Sequence, residues 1–335
     1  MSDIELRKKE HIDVCLKHNV SFDSISSGFD NYRFVHNALP ELNLDEVNTK
    51  TRFLDKELSA PIIISSMTGG SSISKKINEN LAKAANKLNI ALALGSQRAA
   101  IEQPELRNTF DVRKFTKNIP VLANLGAVQL NYDMDIDGCR KAVEMINADA
   151  LILHLNPLQE ALQNSDTNFK GLLPKIKEVV RKLNVPVIVK EVGFGISLNV
   201  AKRLEKIGVK TIDVAGSGGT NFAKIESIIT NDPKGKSFYD WGIPTSNLIQ
   251  GISKNTNLNI IAGGGIRNGV DIAKAIALGA DLVSIGLPLL KPATKSADEV
   301  EKALNQMVGE LRIAMFSVGA ENLDELKKIK LVKVN

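Results

Sequence analysis

Eight short apolar runs recur from Pro61 onward, and their spacing constrains the fold more than any other feature of the chain. They are Ile62–Ile64, Ala91–Leu94, Val121–Asn124, Leu151–His154, Val187–Lys190, Thr211–Val214, Asn259–Ala262 and Leu282–Ile285. Each has the length and residue types of one strand, and near-continuous apolarity implies burial on both faces. The spacing, roughly 25 to 45 residues, leaves room for a helix in each gap. Ser74–Leu88, Ile136–Ile146, Leu172–Leu183, Leu198–Ile207 and Val270–Leu278 carry apolar residues at helical spacing. Asn89, Gly208 and Gly279 stand just past three of them, where left-handed stop residues belong. Eight successive strand–helix units predict an α/β fold, a closed TIM (β/α)8 barrel.

Residues 1–58 precede the rhythm and read as an N-terminal extension. A short helix is expected first, then loops around Gly28 and Pro40, then a pair of strands within Leu42–Leu54. An irregular insertion, Ile225 to Trp241, falls between strands six and seven and has the character of a lid. Ala297–Asn335 reads as one or two closing helices. No linker interrupts the chain, so residues 1–335 are expected to form one domain.

Composition excludes several classes. A 43% hydrophobic and 24% charged chain of 335 residues is that of a soluble globular protein. The charge of +5 is interleaved with acidic residues and makes no stripe for nucleic acid. The start, Met1 to Glu10, is charged and has no apolar signal core, and no membrane span is visible, so a cytoplasmic protein is expected. Cys15 and Cys139 form no C-x-x-C pair, and in that compartment a disulfide between them is not expected.

In such a barrel the carboxyl ends of the strands form the active face. Strand four ends in His154-Leu155-Asn156-Pro157-Leu158-Gln159-Glu160. His154 and Asn156 project to one side, Pro157 ends ladder pairing, and Gln159 and Glu160 follow on a loop or first helical turn. An imidazole, two amides and a carboxylate thus converge on a ligand or metal, or simply form a solvated loop. The glycines of Gly263-Gly264-Gly265-Ile266-Arg267 and Gly286-Leu287 let backbone amides approach an anion, beside a helix starting near Asn268. Neither G-x-G-x-x-G after a strand nor a P-loop is present. Lys190, ending an apolar strand, needs an anionic partner: a Schiff-base substrate, an electron-rich cofactor ring or a structural carboxylate. Thr68, Ser96, Asn124 and Thr220 suit the edge of a heterocycle or a helix cap. Arg7-Lys8-Lys9 with His11 one turn on reads as a solvated helix face by spacing alone, or else as a cationic patch for a diphosphate.

Taken together, Arg7-Lys8-x-x-His11, Met67-Thr68-Gly69-Gly70, Gly95-Ser96-Gln97-Arg98, His154-Leu155-Asn156-x-x-Gln159-Glu160, Val189-Lys190-Glu191-Val192-Gly193, Ser217-Gly218-Gly219-Thr220-Asn221 and Gly264-Gly265-Ile266-Arg267 closely resemble the type 2 isopentenyl diphosphate isomerases. The resemblance spans nearly the whole chain. It implies an enzyme interconverting isopentenyl and dimethylallyl diphosphate with FMN, Mg2+ and NAD(P)H as flavin reductant, assembled as a homotetramer or homo-octamer in which the basic N-terminus serves a neighbouring subunit's site. It further implies Met67, Thr68, Gly69, Ser96, Asn124, Lys190, Ser217 and Thr220 around the isoalloxazine and ribityl groups, and Gly263, Gly265, Arg267, Gly286 and Leu287 at the phosphate. Glu160 matches the magnesium ligand, and Arg7, Lys8, His11, Arg98, His154, Asn156 and Gln159 match the substrate site, with Gln159 and Lys190 expected to be catalytic. Leu287 stands where the family usually has Ala, Phe222 where Trp is frequent, and Ser165-Asp166 where Gly-Asp is usual. Rival readings are an FMN-dependent 2-hydroxy-acid oxidase, which needs a late histidine that this chain lacks beyond His154, and a non-catalytic phosphate-ligand sensor.

Overall fold

The structure, a computed structural model, describes residues 3–334, with side chains from Leu6 onward. The eight runs form β1 (Ile62–Ile64), β2 (Ala91–Ala93), β3 (Val121–Gly126), β4 (Ala150–Leu155), β5 (Val187–Glu191), β6 (Thr211–Asp213), β7 (Asn259–Gly263) and β8 (Leu282–Ile285). All neighbours are parallel, and β8 returns to β1 with Val283 opposite Ile62 and Ile285 opposite Ile64, which closes the barrel and leaves it no free edge. Alternation sorts each strand between two cores. Ile63, Ala91, Ala93, Leu122, Ile152, Ile188 and Ile261 fill the barrel interior, whereas Ile62, Ile64, Leu92, Val121, Leu153 and Val189 pack outward beneath the helices. Each such Ile or Leu contributes roughly 1.5–3 kcal/mol relative to exposure.

The predicted helices form, as Ser72–Leu88, Ile136–Met145, Leu172–Lys182, Leu198–Lys206 and Gly269–Ala277. Ser71 caps the first by accepting from Ser74 N, and Asn89, Gly208 and Gly279 adopt positive φ beyond the helix ends.

Three regions differ from expectation. The strand pair of the extension lies at Thr51–Phe53 and Lys56–Leu58, while Leu44–Glu46 is a 3-10 turn. Leu54 and Asp55 both take positive φ in its two-residue turn, a conformation normally signalled by Asn-Gly rather than Leu-Asp. This hairpin plugs the amino end of the barrel: Phe53 and Leu58 join the interior core, and Lys56 pairs with Asp149 (2.5 Å) just before β4. The insertion is also more regular than expected. Phe222–Thr230 is a helix, so only Pro233–Phe238 remains as a 3-10 segment, and Thr245–Ser253 forms a second helix before β7. Finally, the chain ends in more than helices: after Ala297–Phe316 and Leu323–Leu326, Leu331–Lys333 pairs antiparallel with Tyr32–Phe34. No local pattern announces a pairing across some 300 residues, for its partner comes from the extension.

Among the described residues no helix is long and apolar enough to cross a membrane.

Candidate active site

The carboxyl ends of the strands surround a cavity of about 530 Å³. One wall is glycine-built. Gly264 and Gly265, after β7, take φ of 95° and 80°, and a Cβ on Gly264 would lie 2.1 Å from Gly216 O, so neither a side chain nor a right-handed backbone fits there. Thr245, first residue of its helix, donates to Gly264 O (2.7 Å) and fixes that turn. Gly286 and Leu287 open the Leu287–Lys295 helix, in whose first turn Pro288 has no N–H and the Leu289 N–H bonds Gly286 O (2.9 Å), which leaves the Leu287 N–H without an acceptor in the helix. With Arg267 on the same wall, the corner is arranged to hold an anion.

Across the mouth, register sets His154 beside Lys190 and Lys190 beside Asp213 on β4, β5 and β6. Lys190 Nζ pairs with Asp213 Oδ2 (2.9 Å), and Ser284 Oγ donates to the same oxygen (2.8 Å). Of the three partners open for Lys190 from sequence, the structure supplies the carboxylate. His154 Nδ1 donates to Asn124 Oδ1 (2.9 Å), and Asn124 Nδ2 donates to Ser66 Oγ (3.0 Å). Buried Gln97 accepts from Asn124 N and donates to Ala142 O, locking that strand end. Burial, then the charges of Lys8 and Lys190, push the His154 pKa down to about 3, so its ring is neutral.

The remaining wall is one hydrogen-bonded chain. Arg98 donates to Asp166 Oδ2 (2.6 Å), which also accepts from Gln129 (2.8 Å), and Asp166 N donates to Glu160 Oε2 (3.1 Å). Asn156 Nδ2 donates to Glu160 Oε1 (2.7 Å) and Gln159 Oε1 (3.2 Å). Gln159 Nε2 donates to Glu226 Oε1 (2.9 Å), which also accepts from His11 Nε2 (2.8 Å) and Gln163. Burial alone would raise the Glu226 carboxyl, but the hydrogen bonds from His11, Gln159 and Gln163 outweigh it and hold it below the ordinary range. Burial, then neighbouring Arg7, lowers Lys8.

Every sequence-predicted site residue except Gly69, Ser217 and Gly263 lines this cavity. Gly69 backs onto Phe110, whose ring would be 2.0 Å from a Cβ; Gly263 leaves room for Asp213 and Ser284; and Ser217 is fully buried with its Oγ unpartnered. Arg7, Lys8 and His11, on the Asp3–Lys17 helix, enter the cavity of their own chain. Cys15 and Cys139 are both free, and burial, then the charge of Glu226, raises the Cys15 thiol, at the cavity edge, to about 12, which disfavours its thiolate.

Sequence reasoning missed Glu226, Asp213, Gln129 and Thr245. Glu226 fell in the segment read as irregular, although the Asn221 cap with Phe222, Ile225 and Ile229 at helical spacing marks a helix there. Asp213, a charge inside an apolar strand one run after Lys190, was the available sign of a buried pair.

The FMN-dependent dehydrogenase family model matches residues 3–114 and 128–333. A Rickettsia bellii isopentenyl-diphosphate delta-isomerase is 47% identical over 337 residues, covering 99% of this chain and 98% of that protein. The chain belongs to the isopentenyl-diphosphate delta-isomerase family. A Nostoc relative bearing the same name is 43% identical over 327 residues, 96% of this chain and 93% of its own length. Among solved structures, a mandelate oxidase variant with (S)-mandelic acid superposes with a TM-score of 0.68 at 16% identity, over 97% of this chain and 94% of its own, and that likeness concerns the barrel alone.

Proposed function

We propose that this enzyme interconverts isopentenyl and dimethylallyl diphosphate on reduced FMN, with Mg2+ holding the diphosphate. The observation that carries this reading is the unbroken hydrogen-bonded chain from Arg98 through Glu160 and Gln159 to His11, facing a glycine-built anion corner within one cavity.

The residues fit both groups. Gly264, Gly265, Arg267, Gly286 and Leu287 would hold the FMN phosphate, and the unpartnered Ser217 Oγ stands in the adjoining loop as a spare polar atom. Met67, Thr68, Ser96, Asn124, Lys190 and Thr220 would line the rest of the cofactor. For magnesium, Asn156 Nδ2 is spent on two acceptors, which leaves buried Asn156 Oδ1 without a partner beside Glu160. One carboxylate and one amide oxygen, completed by diphosphate oxygens and water, suit a cation that retains much of its hydration. Among the described residues no cluster of three or more His, Cys, Asp or Glu could hold a metal by itself, which accords with a site completed by substrate.

Bound and reduced, FMN supplies a centre that can give and take a proton without net oxidation of the substrate. The chain's own residues do the rest. Arg7, Lys8, His11 and Arg98 bind the diphosphate, while neutral His154, its Nδ1–H committed to Asn124, offers Nε2 as an acceptor and no charge. Gln159 is held at both ends of its amide, by Asn156 and Glu226, so its orientation at the alkene is set before substrate arrives. Because Glu226 is ionised and can only accept, His11 Nε2 is the donor of that pair. Apolar cavity residues such as Ile12, Met67 and Leu287 exclude water from the hydrocarbon. We further infer that NAD(P)H is the external reductant, that the protein works in the cytoplasm as a homotetramer or homo-octamer with neither membrane nor nucleic acid as partner, and that residues 1–335 act as one barrel domain.

The test is anaerobic. Purified protein should be yellow, release FMN on denaturation, and isomerise isopentenyl diphosphate only after reduction and with Mg2+ present; a colourless protein with full activity rejects the reading. Glu160→Gln should raise the Mg2+ concentration needed for half-maximal rate by on the order of 10–100-fold, the scale on which even outer-shell metal contacts act. Unchanged magnesium dependence would remove Glu160 from the metal site.

A further inference from the structure

Lys190 does not face the cavity as an isolated cation. Its ammonium is 2.9 Å from Asp213 Oδ2, and the two side chains are only 10% and 4% exposed. Asp213 is itself built in: Ser284 Oγ donates to Oδ2 (2.8 Å) and Ala215 N to Oδ1 (3.2 Å), and Ala215 accepts a φ of 37° in making that turn. Gly263 keeps the space open, since a Cβ there would lie 2.3 Å from Asp213 Oδ1 and 2.6 Å from Ser284 Oγ. Four strands therefore cooperate to hold one carboxylate against one ammonium: β5 with Lys190, β6 with Asp213, β7 with Gly263 and β8 with Ser284. A lysine needed only as a cation would be served by the open cavity, where a diphosphate or electron-rich ring could neutralise it.

We propose that Asp213 is a positioning residue that fixes Lys190 and offsets its charge, so that the barrel presents to the flavin a hydrogen-bond donor within a neutral pair rather than a full positive charge. The inference rests on the proposed placement of Lys190 at the flavin. Asp213 would thereby hold the flavin potential below the value Lys190 alone would impose, because a nearby positive charge favours the electron-rich reduced ring.

The test measures the midpoint potential of bound FMN in the wild type, Asp213→Asn, Lys190→Met and the double variant, with FMN content and circular dichroism as folding controls. Asp213→Asn should favour the reduced flavin by about tenfold, roughly +30 mV for a two-electron couple. Lys190→Met, which strands the carboxylate, should shift the potential in the opposite direction, and the double variant should return towards wild type. An uncompensated buried charge can unfold a single variant. Should Asp213→Asn not fold, the step from Lys190→Met to the double variant still reads Asp213, and must be upward. An unmoved potential in Lys190→Met would sink the placement of Lys190 at the flavin. A shift in Lys190→Met with none on removal of Asp213, in either background, would overturn the role of Asp213 alone.

Discussion

His154 shows how far environment changes a residue's chemistry. Its Nδ1–H is committed to Asn124, so the neutral ring offers Nε2 as an acceptor, the opposite of what a cationic diphosphate ligand would offer. The same burial couples it to stability. The unfolded chain binds a proton near pH 6.5 that the folded protein refuses until about 3, so the contribution of His154 is complete above pH 6.5 and is lost between those limits as pH falls. His154→Gln should therefore lose stability less steeply on acidification, by up to roughly 1.4 kcal/mol per pH unit. Urea unfolding at pH 7, 6 and 5 measures this, and parallel profiles for the two proteins would contradict a neutral buried ring. Glu226 accepts three side-chain donors on one oxygen, and Glu226→Ala would leave all three without it. We expect kcat to fall by at least about tenfold with FMN content unchanged, since a displaced catalytic group commonly costs on the order of 100-fold; retained kcat would separate Gln159's orientation from the reaction.

At the scale of elements, the site is made by the turns that leave the strands. β7 runs into a turn that only glycine can make, held by Thr245 from the helix before it. Gly264→Ala would bring a Cβ to 2.1 Å from Gly216 O in a left-handed backbone, so that turn must shift. The variant should lose more than the about 1–3 kcal/mol that left-handed strain alone costs, because the clashing atoms are backbone, and its folded fraction should purify with most of its FMN missing, as read from the flavin absorbance ratio. Normal flavin content would mean that the corner does not hold the phosphate. The loop after β5 is organised differently. Glu191 Oε2 accepts the N–H groups of Val192, Gly193, Phe194 and Gly195, an anchor wound inside its own turn, which brings Val192 and Gly193 to the cavity. The Lys190-Glu191 pair thus divides its labour, one residue facing the cavity and the next building its wall.

At the scale of the whole molecule, the two ends of the barrel do separate work. The extension begins with Arg7, Lys8 and His11 at the cavity on the carboxyl end, continues past Asn221 and Ser246, whose N–H groups donate to Val20 O and Ser27 O, and then closes the amino end with Phe53 and Leu58. Phe53→Ala should lower unfolding free energy by about 3–5 kcal/mol in urea titration while leaving KM near its original value, because the plug is remote from the cavity. A changed KM with unchanged stability would show that the plug acts on the site instead.

By itself the sequence determined the eight strands, the barrel and the places where polar residues gather, because period, burial and helix stops are local properties written into consecutive residues. His154, Asn156, Gln159 and Glu160 were legible for the same reason: one strand end presents them together. Which groups face one another was decided only by tertiary structure. The Lys190–Asp213 pair, the convergence of His11 and Gln159 on Glu226, and the docking of Leu331–Lys333 on Tyr32–Phe34 join residues far apart in the chain, and the energy of such contacts exists only after barrel closure has removed them from water.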